Sequence, residues 1–230
     1  MTSVVSVAGR SLRELIDRAD ERALAAAGLA CLDRCLPLLA ADAGEALRPV
    51  WAAVARGDGR AWGEAVAGAR AALTPAEGPG PGVVSDAGSG PGVVSGPDAG
   101  PGPASGLLSG PVSGVVSGTA DAEAVRGMLA AAPGHWTADA LRDWADGCSA
   151  TALALHGRYD AGAVPEGLVE RCRSGDAAGA GPLLAGELRR QQAVLEATAH
   201  GPTGLRRARE LSVEGGRVLR AVVSRRARTA

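Results

Sequence analysis

The chain has 230 residues, of which 46% are apolar, and its formal net charge is −1. These values exclude a highly charged disordered protein, and no run of about 20 apolar residues predicts a transmembrane helix. The sequence contains no Phe, Lys or Asn, a bias typical of a GC-rich bacterial genome. Four cysteines and no evident secretory signal favour a cytoplasmic protein with free thiols.

A core without Phe must be built from Leu, Val, Ala and tryptophan. Abundant Ala favours helices over strands, so we predict an all-α fold. The four tryptophans are the largest apolar side chains available, and we expect them to pack in the core: Trp51, Trp62, Trp136 and Trp144.

Residues 1–77 are predicted to form a first helical unit. Ser11 and Glu14 have the spacing of a capping box, which predicts the start of a short helix. A second helix is expected from Asp20, and a third over residues 42–56, with Pro49 as an irregularity. A fourth helix is predicted to end at Thr74.

Residues 78–119 are predicted to be a flexible linker. This segment holds 13 of the 34 glycines and 7 of the 14 prolines, and it contains no Arg. The sequence Gly-Pro-Gly-Val-Val-Ser at residues 80–85 recurs at residues 90–95. Such a composition buries too little apolar surface to offset the entropy lost on ordering.

Residues 120–200 are predicted to form a second helical unit, followed by a basic C-terminal helix and tail over residues 201–230. Asp121 and Thr137 are expected to cap the first two helices of this unit. Pro165 and Pro182 can each open a further helix. The last helix is expected from Thr203 to about Ser224.

The two units resemble each other, which predicts an internal duplication. The sequence Asp-Ala-Gly occurs at residues 42–44 and again at 160–162. In both copies a Gly-Asp pair follows at the same spacing, at residues 57–58 and 175–176. We expect the two units to pack together, because each has few large apolar side chains.

Cys31 and Cys35 lie four residues apart on a predicted helix, so both thiols face one side and are candidates for a metal or redox site. No CxxC or HExxH motif accompanies them. Further ligands would have to come from distant residues, namely His135, Cys148, His156, Cys172 or His200. We favour a structural role for these cysteines and predict no cofactor.

Charge is distributed unevenly at the C-terminal end. Residues 120–200 carry seven Arg against eleven acidic residues, whereas residues 201–230 carry eight Arg against two Glu. The basic helix is expected either to pack along the acidic face of its own unit or to contact a partner. The candidate contact residues are Arg206, Arg207, Arg209, Arg217, Arg220, Arg225, Arg226 and Arg228.

Catalytic motifs are lacking in the sequence. A phosphate-binding loop with its lysine is excluded, and no nucleophile and base have a recognisable spacing. We therefore favour a non-enzymatic protein–protein interaction or regulatory module, with self-association as one form of it. The alternatives are nucleic-acid binding through the Arg-rich helix, and a thiol or metal sensor that uses Cys31 and Cys35.

Overall fold

The computed structural model describes residues 10–39, 43–74 and 113–229, and in these ranges every regular element is a helix. This confirms the predicted all-α fold class. The α-helices in chain order are α1 (Leu12–Arg18), α2 (Glu21–Cys35), α3 (Arg48–Arg56), α4 (Gly59–Leu73), α5 (Ser113–Ala130), α6 (Ala138–Arg158), α7 (Leu168–Arg173), α8 (Pro182–Thr198) and α9 (Gly201–Ala227). Within those ranges, none of the helices has the length and apolar character that crossing a membrane requires.

Local capping signals place three of the predicted helix starts correctly. The predicted capping box is present at α1: the Glu14 amide donates to Ser11 Oγ (3.3 Å), and the Ser11 amide donates to Glu14 Oε2 (2.8 Å). Asp20 caps α2 through the Ala23 amide (2.8 Å), and Pro182 is the first residue of α8. Each of these signals lies within one turn of the helix that it starts, so the sequence alone reveals it.

Helix boundaries and caps differ from the prediction at several points. The predicted cap Asp121 lies inside α5, where its carboxylate accepts hydrogen bonds from Arg158 and Tyr159 instead of capping a helix. Thr137 is the N-cap residue of α6, but its side chain makes no cap hydrogen bond, and α7 begins three residues after Pro165.

The expected third helix divides into a 3-10 helix at Ala43–Leu47 and α3, with Pro49 in the first turn of α3. The helix α5 begins at Ser113, so the last seven residues assigned to the linker are helical. The rest of that linker, residues 78–112, lies outside the described residues. The last helix, α9, extends beyond the predicted range at both ends.

The two predicted units pack against each other around α2. This helix lies at the centre of the bundle and packs against α6, α8 and α9, with α3 and α5 at its periphery. Twelve of its fifteen residues are buried, including the whole stretch from Ala23 to Leu32. A single apolar core therefore joins helices from both sides of residues 75–112.

Tryptophan side chains fill the contact between α4, α6 and the segment before α6. Trp62 is fully buried, and its ring lies 5.5 Å from the rings of both Trp136 and Trp144 in edge-on arrangements. Trp51 and Trp144 are also buried, as predicted, whereas Trp136 is only partly buried. The absence of a side chain at Gly28 allows α2 to approach α6 closely, since a Cβ atom there would lie 2.6 Å from the Trp144 ring.

The helix order α1 to α4 parallels the order α5 to α8, as the predicted duplication requires. Gly57 and Gly175, which the prediction pairs, both have a positive φ, at 64° and 105°. Asp160 accepts hydrogen bonds from the Leu183 amide (2.7 Å) and the Leu184 amide (2.9 Å) at the start of α8. Its predicted counterpart, Asp42, lies outside the described residues, so the duplication stays a prediction.

Candidate functional site

The predicted contact arginines lie on the outer surface of α9 and just beyond its end. All eight are exposed. The inner face of α9 is apolar at Leu205, Ala208 and Leu211, and it packs against α8 and α2. The arginines therefore face solvent because the amphipathic pattern of α9 turns its apolar side towards the core.

A shallow groove follows three turns of the outer face of α9. We call it the basic strip, and it is lined by Arg206, Arg209, Glu210, Val213, Glu214 and Arg217. Val213, at its centre, is 44% exposed, and among the side chains whose burial the structure describes no other large apolar one is exposed. The strip thus surrounds one apolar residue with charges of both signs.

The basic strip has few ion pairs within the chain. Arg207, beside the strip, pairs with Glu210 of the same helix at 3.4 Å. Among the described residues, no carboxylate lies within 4.0 Å of the guanidinium groups of Arg206, Arg209 and Arg217. These three arginines therefore form no ion pair with the acidic second unit, which was one of the two expected arrangements. Arg209 does interact electrostatically with Asp33 of α2.

Arg226 binds the protein's own backbone. Its guanidinium lies 5.1 Å from the centre of the Tyr159 ring and donates to the carbonyl oxygens of Arg158 (3.3 Å) and Asp160 (3.1 Å). Tyr159 in turn donates to Asp121 (2.8 Å), and burial followed by this contact raises the pKa of Tyr159 to about 12. Arg226 therefore anchors the end of α9 to the end of α6.

A second polar centre lies inside the bundle, where α2, α6 and α8 meet. Arg34 donates from Nε to Glu187 Oε2 (2.8 Å) and from Nη2 to Oε1 (2.6 Å). Gln191 also donates to Oε1 (2.9 Å), and His156 Nε2 lies 3.6 Å from Oε2. The side chains of Arg34 and Glu187 are both 0% exposed. We call these two residues the buried ion pair.

The buried ion pair is charged in spite of its burial. Burial by itself raises the pKa of Glu187, but the electrostatic interactions with Arg34 and then with His156 outweigh it and leave that pKa below the usual value. Burial lowers the pKa of Arg34, and Glu187 more than compensates for this. The bidentate geometry thus offsets part of the desolvation of both groups.

Two nitrogen atoms of this centre have no hydrogen-bond partner, Arg34 Nη1 and His156 Nε2. The other ring nitrogen of His156, Nδ1, donates to the Ala152 carbonyl oxygen at 2.8 Å. Because Arg34, His156 and Glu187 are enclosed, no substrate reaches them in this conformation. The centre therefore has the composition of a reactive site without the access that catalysis requires.

The cysteine candidates lie beside the buried ion pair. Cys31 and Cys35 are both buried, and Cys31 Sγ accepts a hydrogen bond from Arg34 Nη2 at 3.4 Å. Burial raises the pKa of Cys31 to about 12 and that of Cys35 well above the usual value. Metal binding requires a thiolate, and no group of three or more His, Cys, Asp or Glu residues in the described part of the chain could hold a metal ion.

Sequence reasoning missed the buried ion pair because its members are 153 residues apart in the chain. One signal was available: Arg34 occupies a position on the same helix face as Cys31, among residues that are otherwise apolar. A lone Arg on such a face predicts a buried acidic partner but does not identify it.

Comparison with known protein families, with curated proteins and with solved structures finds no match.

Proposed function

We propose that this protein is a non-enzymatic interaction module that binds an acidic protein through the basic strip of α9. The observation that carries the proposal is the strip itself, in which three exposed arginines without an ion-pair partner within 4.0 Å among the described residues surround the exposed Val213. Arginine is enriched at the centres of protein interfaces, where an apolar residue surrounded by charged groups is a common pattern.

The charges of the strip favour a protein over a nucleic acid as the partner. Glu210 and Glu214 line the same groove as the arginines. A phosphate backbone carries only negative charge and would be repelled by these carboxylates. A protein surface can carry carboxylates opposite Arg206, Arg209 and Arg217 and a cation opposite the two glutamates.

Self-association through two copies of the strip is less favourable. Residues 201–230 carry eight Arg and two Glu, so two such helices side by side would repel each other. A partner with a net negative charge meets no such repulsion. The electrostatic contribution should be greatest for the rate of association, and binding should weaken as the salt concentration rises.

The proposal is tested by comparing two variants of the full chain that lose equal charge. In one, Arg206, Arg209 and Arg217 are all replaced by Gln. In the matched control, Gln replaces three exposed arginines of other helices: Arg48, Arg60 and Arg171. A photo-crosslinking residue at position 213 is expected to capture an acidic protein in native cells, and only the strip variant should abolish the capture.

A crosslinking residue at Ala67, which is exposed on α4, controls for non-specific capture. Equal capture from positions 67 and 213, or equal loss in both charge variants, would refute the proposal. Capture of a nuclease-sensitive species instead of a protein would favour the nucleic-acid alternative. A purified protein that contains stoichiometric zinc, lost on Cys31→Ser, would favour the sensor alternative.

A further inference from the structure

The middle of the inner face of α9 carries small buried residues. Apolar residues pack at its two ends, with Leu205 and Leu211 before the middle and Leu219 after it. The buried positions between Leu211 and Leu219 are Ser212, Gly215 and Gly216. This part of α9 therefore contributes no large buried apolar side chain to the bundle.

The glycines lie directly over Arg34 of the buried ion pair. A Cβ atom at Gly215 would be 2.3 Å from Arg34 Cδ and 3.1 Å from Arg190 Cδ, so only glycine allows α9 to approach this closely. The backbone at Gly216 also lies against α2, near the Asp33 carbonyl oxygen and Arg34 Cα. The middle of α9 is thus part of what excludes water from Arg34.

Exclusion of water is unfavourable for the charged groups beneath α9. The hydrogen bonds of Arg34 and Glu187 compensate for only part of the lost hydration, and Arg34 Nη1 has no partner at all. If α9 moved away, water would solvate these groups. This gain offsets part of what release would cost, namely the apolar contacts at the ends of α9 and the contacts of Arg226 with the end of α6.

Isolated α9 is also a weak helix. Glycine is among the poorest helix formers, and two adjacent glycines in the middle of a helix reduce its stability away from the bundle. A run of arginines at its C-terminal end adds repulsion between like charges. The chain direction changes between the end of α8 at Thr198 and the start of α9 at Gly201, which leaves two residues as a natural hinge.

From these contacts we infer that α9 is a releasable cover: it opens from the bundle as one unit while α2, α6 and α8 stay folded, and it thereby exposes the buried ion pair to water. The inference depends on the inner face of α9, so it stands independently of what the outer basic strip binds. Local opening of a terminal helix below the free energy of global unfolding is a known property of native proteins.

Hydrogen exchange of the full chain, read by mass spectrometry, tests this. Amides of residues 211–219 are expected to exchange at least about 100-fold faster than those of residues 25–32 in α2 after correction for intrinsic rates. Their exchange should depend only weakly on urea, because local opening exposes less surface than unfolding. Equal protection and equal urea dependence in the two segments would overturn the inference, and this readout needs no variant.

A double variant tests the role of the charges. Replacing Arg34 by Met and Glu187 by Leu removes the charges that water would solvate when α9 opens. The amides of α9 should therefore exchange at least about tenfold more slowly relative to those of α2. The matched control replaces Arg173 by Met and Asp146 by Leu, an ion pair with a buried Arg between α6 and α7. In this control, the hydrogen-exchange rates of the α9 amides should equal those of the wild type. Unchanged protection of α9 in the Arg34 and Glu187 variant would contradict the proposed role of the buried ion pair.

Discussion

Removal of one member of the buried ion pair is expected to destabilise the protein far more than removal of both. In Glu187→Leu, Arg34 stays fully buried, with only Cys31 Sγ at 3.4 Å as a hydrogen-bond partner. An uncompensated buried charge of this kind costs about 3–5 kcal/mol. With a urea dependence of about 2 kcal/mol per M, the unfolding midpoint should fall by about 2 M.

The structure predicts an asymmetry between the two single variants. In Arg34→Met, Glu187 keeps its hydrogen bond from Gln191 and its neighbour His156. We therefore expect a smaller loss of about 2–3 kcal/mol for Arg34→Met. In the double variant no charge of the pair remains, and its stability should lie within about 1 kcal/mol of the wild type.

Urea unfolding followed by far-UV circular dichroism measures this cycle. The control applies the same substitutions to the exposed pair of Arg60 and Glu64, whose side chains are 90% and 69% exposed. Each variant of that pair should change the free energy of unfolding by less than about 1 kcal/mol. If the losses of Arg34→Met and Glu187→Leu simply add in the double variant, the assignment of a mutually dependent buried pair is wrong.

Three further predictions concern helix ends, close packing and the thiols. Asp160→Ala removes two hydrogen bonds at the start of α8 and should lower stability by about 1–2 kcal/mol in thermal unfolding, whereas Asp143→Ala at an exposed position of α6 should not. Gly28→Ala should lower the free energy of unfolding by about 1–2 kcal/mol although Ala has the better helix propensity, because the added Cβ atom would overlap the buried Trp144 ring. The control Gly147→Ala in α6, where the added Cβ atom meets open space, should raise it. Burial raises the pKa of Cys31 from 9.0 to about 12. Above pH 9 the unfolded state therefore loses a proton that the folded state keeps, so stability should fall as pH rises from 9 towards 12, and a rise would contradict the assignment.

The sequence predicted several features that depend on neighbouring residues, although the cap at Asp121 was wrong, and it missed those that depend on distant ones. The cap at Ser11 and the proline at the start of α8 act within one turn, and both are confirmed. The start of α5 was missed because the residues after Ser113 have the same composition as the segment before them. Local composition cannot reveal that they join a helix whose later turns pack in the core.

In the candidate sites, too, the sequence predicted what depends on neighbouring residues and missed what depends on distant ones. The concentration of arginines in the last thirty residues was visible in the sequence, and their exposure follows from the apolar face of α9. The contact of Arg226 with the end of α6 and the pairing of Arg34 with Glu187 are tertiary contacts. No periodicity or spacing in the chain encodes which distant groups will meet.

Enclosure of α2 by helices from both sides of residues 75–112 has a consequence for how the chain can be divided. A fragment that ends at Thr74 would expose the apolar residues of α2 that face α6, and a fragment that begins at Ser113 would lack the centre of its core. Neither fragment should fold alone, but the two should reconstitute the helical bundle when mixed, because the contacts between them do not need a covalent connection. The chain is therefore suited to fragment complementation, with reassembly of the two halves as the readout of an intact core.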